Sequence, residues 1–192
     1  MHGKFTLVEV KPNIDKLGNV AFTADDVLFD WTAFEIPRGT ARLQSYQIKV
    51  PGTNATAANG GLDMELIFAK NINGEAPPTL GNTNTAMNVI SATAARPYII
   101  GRVTVDGSIL EDSLDGLVGY NILSNSNYRS LAGTILEGDP RDSATEGYQK
   151  IYVAGIAQGA YDFGTDCLIA GTHAADDLTI VVDGTDCDDL FA

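Results

Sequence analysis

The sequence predicts an all-β protein, an antiparallel β-sandwich or jelly roll with long loops and at most one short helix. Three observations carry that expectation. Short runs of aromatic and β-branched residues recur along the 192-residue chain, each bounded by Gly, Pro, Asn or Asp. One run, "LDMELIFAK" (62–70), alternates cleanly, with Leu62, Met64, Leu66 and Phe68 on one side and Asp63 and Glu65 on the other. That is the period of a half-buried strand. Finally, the runs do not alternate with helical patterns, as βαβ units would require.

The elements follow in order. Strands are predicted at 4–10, 27–37, 40–50, 62–70, 97–107, 131–136, 148–156 and 178–184. "VLFDWTAFEIP" (27–37) is dense in aromatics and stops at Pro37, which cannot continue a ladder. "PYIIGRVTVDG" (97–107), "YQKIYVAGI" (148–156) and "LTIVVDG" (178–184) each end near a turn residue. "NTAMNVISATAA" (84–95) is the one candidate helix, with Thr83 or Asn84 as its cap, although its Asn and Thr content weakens the case. Clusters of Gly, Pro, Asn and Asp mark loops at 49–61, 71–84 and 137–147. No fixed-period repeat is found, so a single domain over 1–192 is expected.

Composition narrows the function. Apolar residues make up 44% and charged ones 19%, a folded rather than a disordered balance. Twenty-five acidic against 12 basic side chains give a net charge of −13. Such a surface repels phosphate backbones and anionic lipid, so neither nucleic acid nor membrane is an expected partner. "MHGKFTLVEV" lacks a signal-peptide core, and no stretch approaches the ~20 apolar residues of a membrane span. A soluble protein made in the cytoplasm is expected. Cys167 and Cys187 read as two free thiols of a reduced compartment, with their pairing left open.

The candidate chemistry is thin. "EGYQKIYVAGIAQGAYDFGT" (146–165) invites a phosphate-loop reading, but Gly155 and Gly159 are four apart and no Lys-Ser/Thr pair follows. It reads better as a strand with Tyr148, Lys150, Tyr152 and Ala154 on one side and Gln149, Ile151, Val153 and Gly155 on the other. A second strand near 160–164 would adjoin it, and the glycines would permit a bulge or close packing. His2 lies at the terminus, and His173 has Asp176 and Asp177 nearby but no nucleophile motif. No CxxC or HxxxH spacing supports zinc. Asp183, Asp186, Asp188 and Asp189 lack the EF-hand order, Gly184 coming too early, and read as a solvated acidic turn. Whether Ca²⁺ binds there stays open. No catalytic, cofactor-binding or metal-ligating residue is therefore assigned, and an enzyme is not expected.

Three segments carry a resemblance. They are "VLFDWTAFEIPRGTARL" (27–43), "LIFAKNINGEAPPTLG" (66–81) and "ILEGDPRDSATEGYQKIYVAGIAQGAYDFGT" (135–165). Together they resemble small virion structural proteins of tailed bacteriophages, particularly of marine hosts, of the head decoration or cement type. The resemblance implies a β-sandwich or jelly-roll body without catalytic residues. It implies a protein made in the host cytoplasm that binds the outer head surface. There it would stabilise the shell by bridging subunits of the major capsid protein, as a homo-oligomer, with a trimer the first expectation. Other virion locations (tail, neck or spike) and a carbohydrate- or receptor-binding module remain as alternatives. An enzyme, with Asp162 and His173 as the residues to test, is the weakest. The loops at 51–61 and 71–84 are candidate contacts, or else plain solvent-exposed connections. Arg38 and Arg141 are candidates to pair with carboxylates across an interface, or within the chain.

Overall fold

The structure, a computed structural model, describes residues 5–12, 22–51, 63–88, 93–105, 111–114, 117–122, 135–160 and 179–186. Within them the strands pair antiparallel in two sheets. The larger sheet runs β1 (Phe5–Val10), β10 (Thr179–Asp186), β3 (Ala41–Pro51), β7 (Leu117–Ile122) and β6 (Glu111–Leu114). A two-residue strand, β8 (Ile135–Leu136), also pairs with β3. The smaller sheet runs β2 (Val27–Pro37), β9 (Tyr148–Ala157), β4 (Met64–Lys70) and β5 (Ile99–Val105). The ladders nest from the outside in: β1 with β10, β2 with β9, β3 with β7, β4 with β5. A chain paired this way and wrapped over two sheets is a jelly roll.

The interior follows from strand alternation. Phe34 and Ile36 of β2, Leu66 and Phe68 of β4, Val103 and Val105 of β5, and Ile151 and Val153 of β9 are buried. Phe34 and Phe68 meet edge to face, 6.5 Å between centroids at 83°, the arrangement that the ring quadrupoles favour. Phe29 lies opposite Gly155, and the β2–β9 register shifts on either side of it. A Cβ on Gly155 would fall 2.3 Å from Cε1 of Phe29, so the ring occupies the space a side chain would need.

The smaller sheet is covered on its other face as well. After β4 the chain leaves the sandwich and folds back over the outside of β2, β9 and β4. Leu80 and Ala95 from this excursion pack with Val27, Ile67, Ala154 and Ile156, and Trp31, Met87 and Ile99 close the rim. Polar bonds fix the cover in place. The Leu80 N–H donates to Asp30 Oδ1 (3.0 Å), and Trp31 Nε1 donates to the Pro78 carbonyl (2.8 Å). The backbone of 84–87 is stitched to the start of β2 through Asn84 N–H to Val27 O (2.8 Å) and Val27 N–H to Thr85 O (3.0 Å).

Several expectations change here. The 71–84 loop is not a plain solvent-exposed connection, because Asn71, Pro77 and Leu80 are buried. The strand at 62–70 is half-buried only at its start, since Ile67 and Ala69 on the second face are buried too. The candidate helix 84–95 is not helical at its beginning: Asn84 has φ 54°, and Ala86 forms a β-bridge with Asp26. Among the described residues a helical turn appears only at 93–95, running into the 3-10 helix Arg96–Tyr98. Nor do Asp183 and Asp186 lie in an acidic turn. They belong to β10, flanked by β1 and β3, and Gly184 sits at a register shift where a turn residue was expected. Strands β6 and β7 had no counterpart in the sequence reading. The expected strand at 160–164 falls outside the described residues beyond Ala160, and 89–92 is outside them as well.

Two substitutions test the packing. Gly155→Ala should destabilise the protein by about 1–3 kcal/mol, because the Phe29 ring has to move. Gly159→Ala, with no described atom within 4 Å of its Cβ, should stay within about 0.5 kcal/mol of the parent. Urea unfolding curves compare the two.

Candidate binding surface at one end of the sandwich

Three connections meet at one end of the jelly roll: the β2–β3 turn (38–40), the start of the excursion (71–75) and the loop 137–147. Their junction is Gln149, which is 4% exposed. Its Oε1 accepts from Gly138 N–H (3.0 Å), and its Nε2 donates to the Gly39 carbonyl (2.5 Å). Gln149 shares the inward face of β9 with Ile151 and Val153, so an uncharged polar side chain there must find partners. It finds them in two different loops.

The second junction is Asp139, also buried. Its Oδ2 accepts from Gly74 N–H (3.1 Å), and its Oδ1 accepts from Arg141 N–H (2.9 Å) and lies 3.4 Å from Arg141 Nε. Residues 72–75 form a tight hairpin in which Ile72 and Glu75 exchange backbone hydrogen bonds of 3.0 Å each. Asn73 and Gly74 at its tip have φ 56° and 84°, the left-handed pair that a two-residue turn demands and that Asn-Gly supplies. Arg141 Nη2 also donates to Asn73 Oδ1.

A third set of contacts orders the loop before β9. Asp142 accepts from Ala144 N–H (3.0 Å) and Lys150 N–H (2.6 Å), and Glu35 Oε1 accepts from Thr145 N–H (3.1 Å). Lys150 Nζ donates to Ser143 Oγ (2.7 Å) and to the Ser143 carbonyl (3.3 Å). A Ser–Lys pair activates a nucleophile only when its amine is neutral and can take the hydroxyl proton. Here the ammonium donates to both oxygens of Ser143 and stands near the Glu35 carboxylate, so it acts as a strut.

Between the hairpin and the 137–141 segment lies a cleft of about 230 Å³. Asn71 lines it at 3% exposure, and its Oδ1 has no hydrogen-bond partner among the described residues. The Asn71 amide also bonds the Tyr152 hydroxyl, whose acidity is nonetheless pushed down by burial, so that its pKa lies above the usual phenol value.

This end draws together a loop from each of the three segments that carry the sequence resemblance, 38–40, 71–75 and 137–147, and it contains both arginines singled out there. Arg38 is exposed in the turn, its N–H bonded to Gly147 O (2.9 Å), and its guanidinium has no partner shown among the described residues. Arg141 pairs internally with Asp139, while its side chain stays 64% exposed. Ile135 and Tyr148, two of the large apolar side chains left exposed, flank the same end through pairing with Arg42 and Pro37. The loop at 52–61, His2, Asp162, Cys167, His173, Asp176, Asp177, Cys187, Asp188 and Asp189 all lie outside the described residues.

No family model matches the sequence, and no curated protein does. Similar chains occur among solved structures of viruses. One is from a semi-empty virus-like particle of the giant freshwater prawn Macrobrachium rosenbergii nodavirus, at 10% identity and TM-score 0.28, covering 96% of this chain and 93% of that one. Another is from Desmodium yellow mottle tymovirus, at 13% identity and TM-score 0.24, covering 97% and 83%. A third is from the native virion of Kashmir bee virus, at 12% identity and TM-score 0.25, covering 96% and 69%. The assignment of a jelly roll rests on the strand order described above, not on these superpositions.

Sequence reasoning passed over Gln149, Asp139 and Asn71. A signal existed for Gln149, a polar residue in the apolar phase of an alternating strand. The Asn-Gly pair was a hairpin signal of equal strength.

Asp139 and Glu35 respond to acid in a definite sense. The Arg141 N–H, then Gly74 and the guanidinium, hold the Asp139 carboxyl below its ordinary value. The Thr145 hydroxyl and N–H, aided by Lys150, do the same for Glu35. A depressed folded value means that the stabilisation is complete above the ordinary carboxylate range and is lost as pH falls below roughly 4. Amide NMR should show the Gly74, Arg141 and Thr145 signals unchanged from neutral pH to that range and moving together below it. Gln149→Ala, which strands the buried Gly138 N–H and the half-buried Gly39 carbonyl, should cost about 2 kcal/mol in a urea melt at neutral pH.

Proposed function

We propose that this protein is a structural component of a tailed-phage particle, a decoration or cement protein on the outer surface of the head. The observation that carries the reading is that a loop from each of the three resembling segments, 38–40, 71–75 and 137–147, meets the others at one hydrogen-bonded end of a jelly roll. Jelly rolls serve as coat modules and as lectins, so the fold alone leaves function open. The convergence adds a specific surface to that fold.

The mechanism is mechanical, and the protein is not an enzyme. The bonded end meets subunits of the major capsid protein, with Arg38 and Arg141 facing acceptors on the shell and Ile135 and Tyr148 filling apolar contacts. A contact of standard size buries on the order of 1,600 Å². Because the protein binds the assembled shell and not free subunits, it stabilises the assembled state by mass action. Repetition over the shell multiplies modest single contacts, and a cyclic homo-oligomer, a trimer, would engage several subunits together. The acidic body would not capture the genome during assembly.

Addition of the purified protein to particles lacking it tests the reading. Heads lacking it should release DNA at a lower temperature than complete heads, and adding it back should restore the difference. Equal heat resistance of the two particles would count against a cement role. Arg38→Glu combined with Tyr148→Asp should reduce occupancy on the shell without changing the melting temperature of the free protein. A copy number far below that of the shell subunits would relocate the protein to tail, neck or spike.

A further inference from the structure

Each sheet ends in two edge strands, and the four edges are not alike. An edge strand leaves backbone N–H and C=O groups without ladder partners, so native chains blunt it with Pro, charges, bulges or a covering segment. The start of β2 is covered, Val27 bonding with Asn84 and Thr85, and the strand ends on Pro37. β6 has only four residues, begins with Glu-Asp, and shifts register against β7. The outer edges of β1 and β5 are open among the described residues. β1 pairs with β10 over all six of its residues, and β5 with β4 from Gly101 to Val105, without a register shift. Neither strand contains Pro.

These two edges differ in charge. β1 carries one charged residue, Glu9, and β5 carries one, Arg102, and both are exposed. Arg102 meets Glu65 at 3.2 Å but its side chain stays 74% exposed, so its guanidinium has donors left for a second carboxylate. Beside Glu9 on the same face of β1 stands Leu7, 73% exposed. Pairing β1 with β1, or β5 with β5, gains no opposite charge; pairing β1 with β5 does. In an antiparallel register with Glu9 opposite Arg102, Val8 falls opposite Val103 and Leu7 opposite Thr104. Charge then meets charge, and the two β-branched valines share the inner face.

We propose that β1 of one copy pairs antiparallel with β5 of a second copy, so that the larger sheet of one sandwich continues into the smaller sheet of the next. The contact is head to tail, and such contacts close into rings or run on as open chains. It rests on the proposed function only for the closing of a ring, because the pairing itself belongs to the free protein.

Sedimentation velocity of the full chain over a concentration series tests the pairing. One added ladder is a small interface, so half-association is expected at about 0.1 mM. Glu9→Arg and Arg102→Glu should each weaken it about tenfold, since each sets like charges opposite one another. Both positions are exposed, so the melting curves of the variants should follow that of the parent. An equimolar mixture of the two variants should restore the contact, because each offers the other the charge that it lacks. Only a β1–β5 contact predicts that rescue. The proposal is overturned if the parent stays monomeric at about 1 mM, if either variant associates as the parent does, or if the mixture associates no better than the variants alone. Any of these results leaves attachment to the shell standing, because the heat resistance of heads is read separately.

Discussion

Burial of the smaller sheet on both faces is the constraint from which the rest of the structure follows. One face is the sandwich interior, as in any two-sheet fold. The other would present Val27, Ile67, Ala154 and Ile156 to water, an apolar patch that a lone jelly roll has nothing to cover. The chain covers it with its own excursion after β4. That excursion has to leave the sheet and return, and the tight hairpin at 72–75 is where it leaves. The hairpin in turn needs Asp139 on its Gly74 N–H, which fixes the loop before β9. A packing requirement on one face thus determines the geometry of the sandwich end.

The acidity of the chain looks different once these loops are seen. Asp26, Asp30, Glu35, Asp139 and Asp142 each accept a backbone N–H from a turn or loop. Connections lack the ladder partners that strands give one another, and a carboxylate is a strong acceptor for such stray donors. Part of the net charge of −13 is therefore structural and is not only a solvating coat. One of these carboxylates, Asp139, also braces the largely exposed Arg141 side chain, while the Arg38 guanidinium in the neighbouring turn has no partner among the described residues.

How much of this was legible depends on the range of the forces involved. Strand β2 was readable to its ends because aromatics, alternation and Pro37 all act locally. The starts and ends of β4, β5, β9 and β10 were close for the same reason. The covering excursion was not readable: Pro77, Leu80 and Ala95 are isolated apolar residues without period, and only the sheet beneath explains them. The helix expected from 84 failed because bonds to Val27 and Asp26 outweigh a weak local preference there. Short β6 and β7 carry polar residues in no clean alternation, so the pairing of β7 with β3, and of β6 with β7, defines them instead. At the candidate site, Arg38 and Arg141 were visible as rare cations in an acidic chain. Asn71 was not, since its importance lies in a partner it lacks.

The hairpin has one more consequence, which concerns chemical lifetime. An Asn followed by Gly is the pair most prone to lose its side-chain amide, because the unhindered glycine nitrogen can attack the asparagine side-chain carbonyl and close a five-membered ring. Here the Gly74 nitrogen points its hydrogen at Asp139, and the Asn73 side-chain oxygen is held by Arg141. Ring closure needs the Gly74 nitrogen to swing onto the Asn73 side-chain carbon, and these two bonds anchor both residues to the opposite wall, in the left-handed turn, away from that approach. The turn that its sequence makes easy to form is thus protected from the ageing reaction that the same sequence invites.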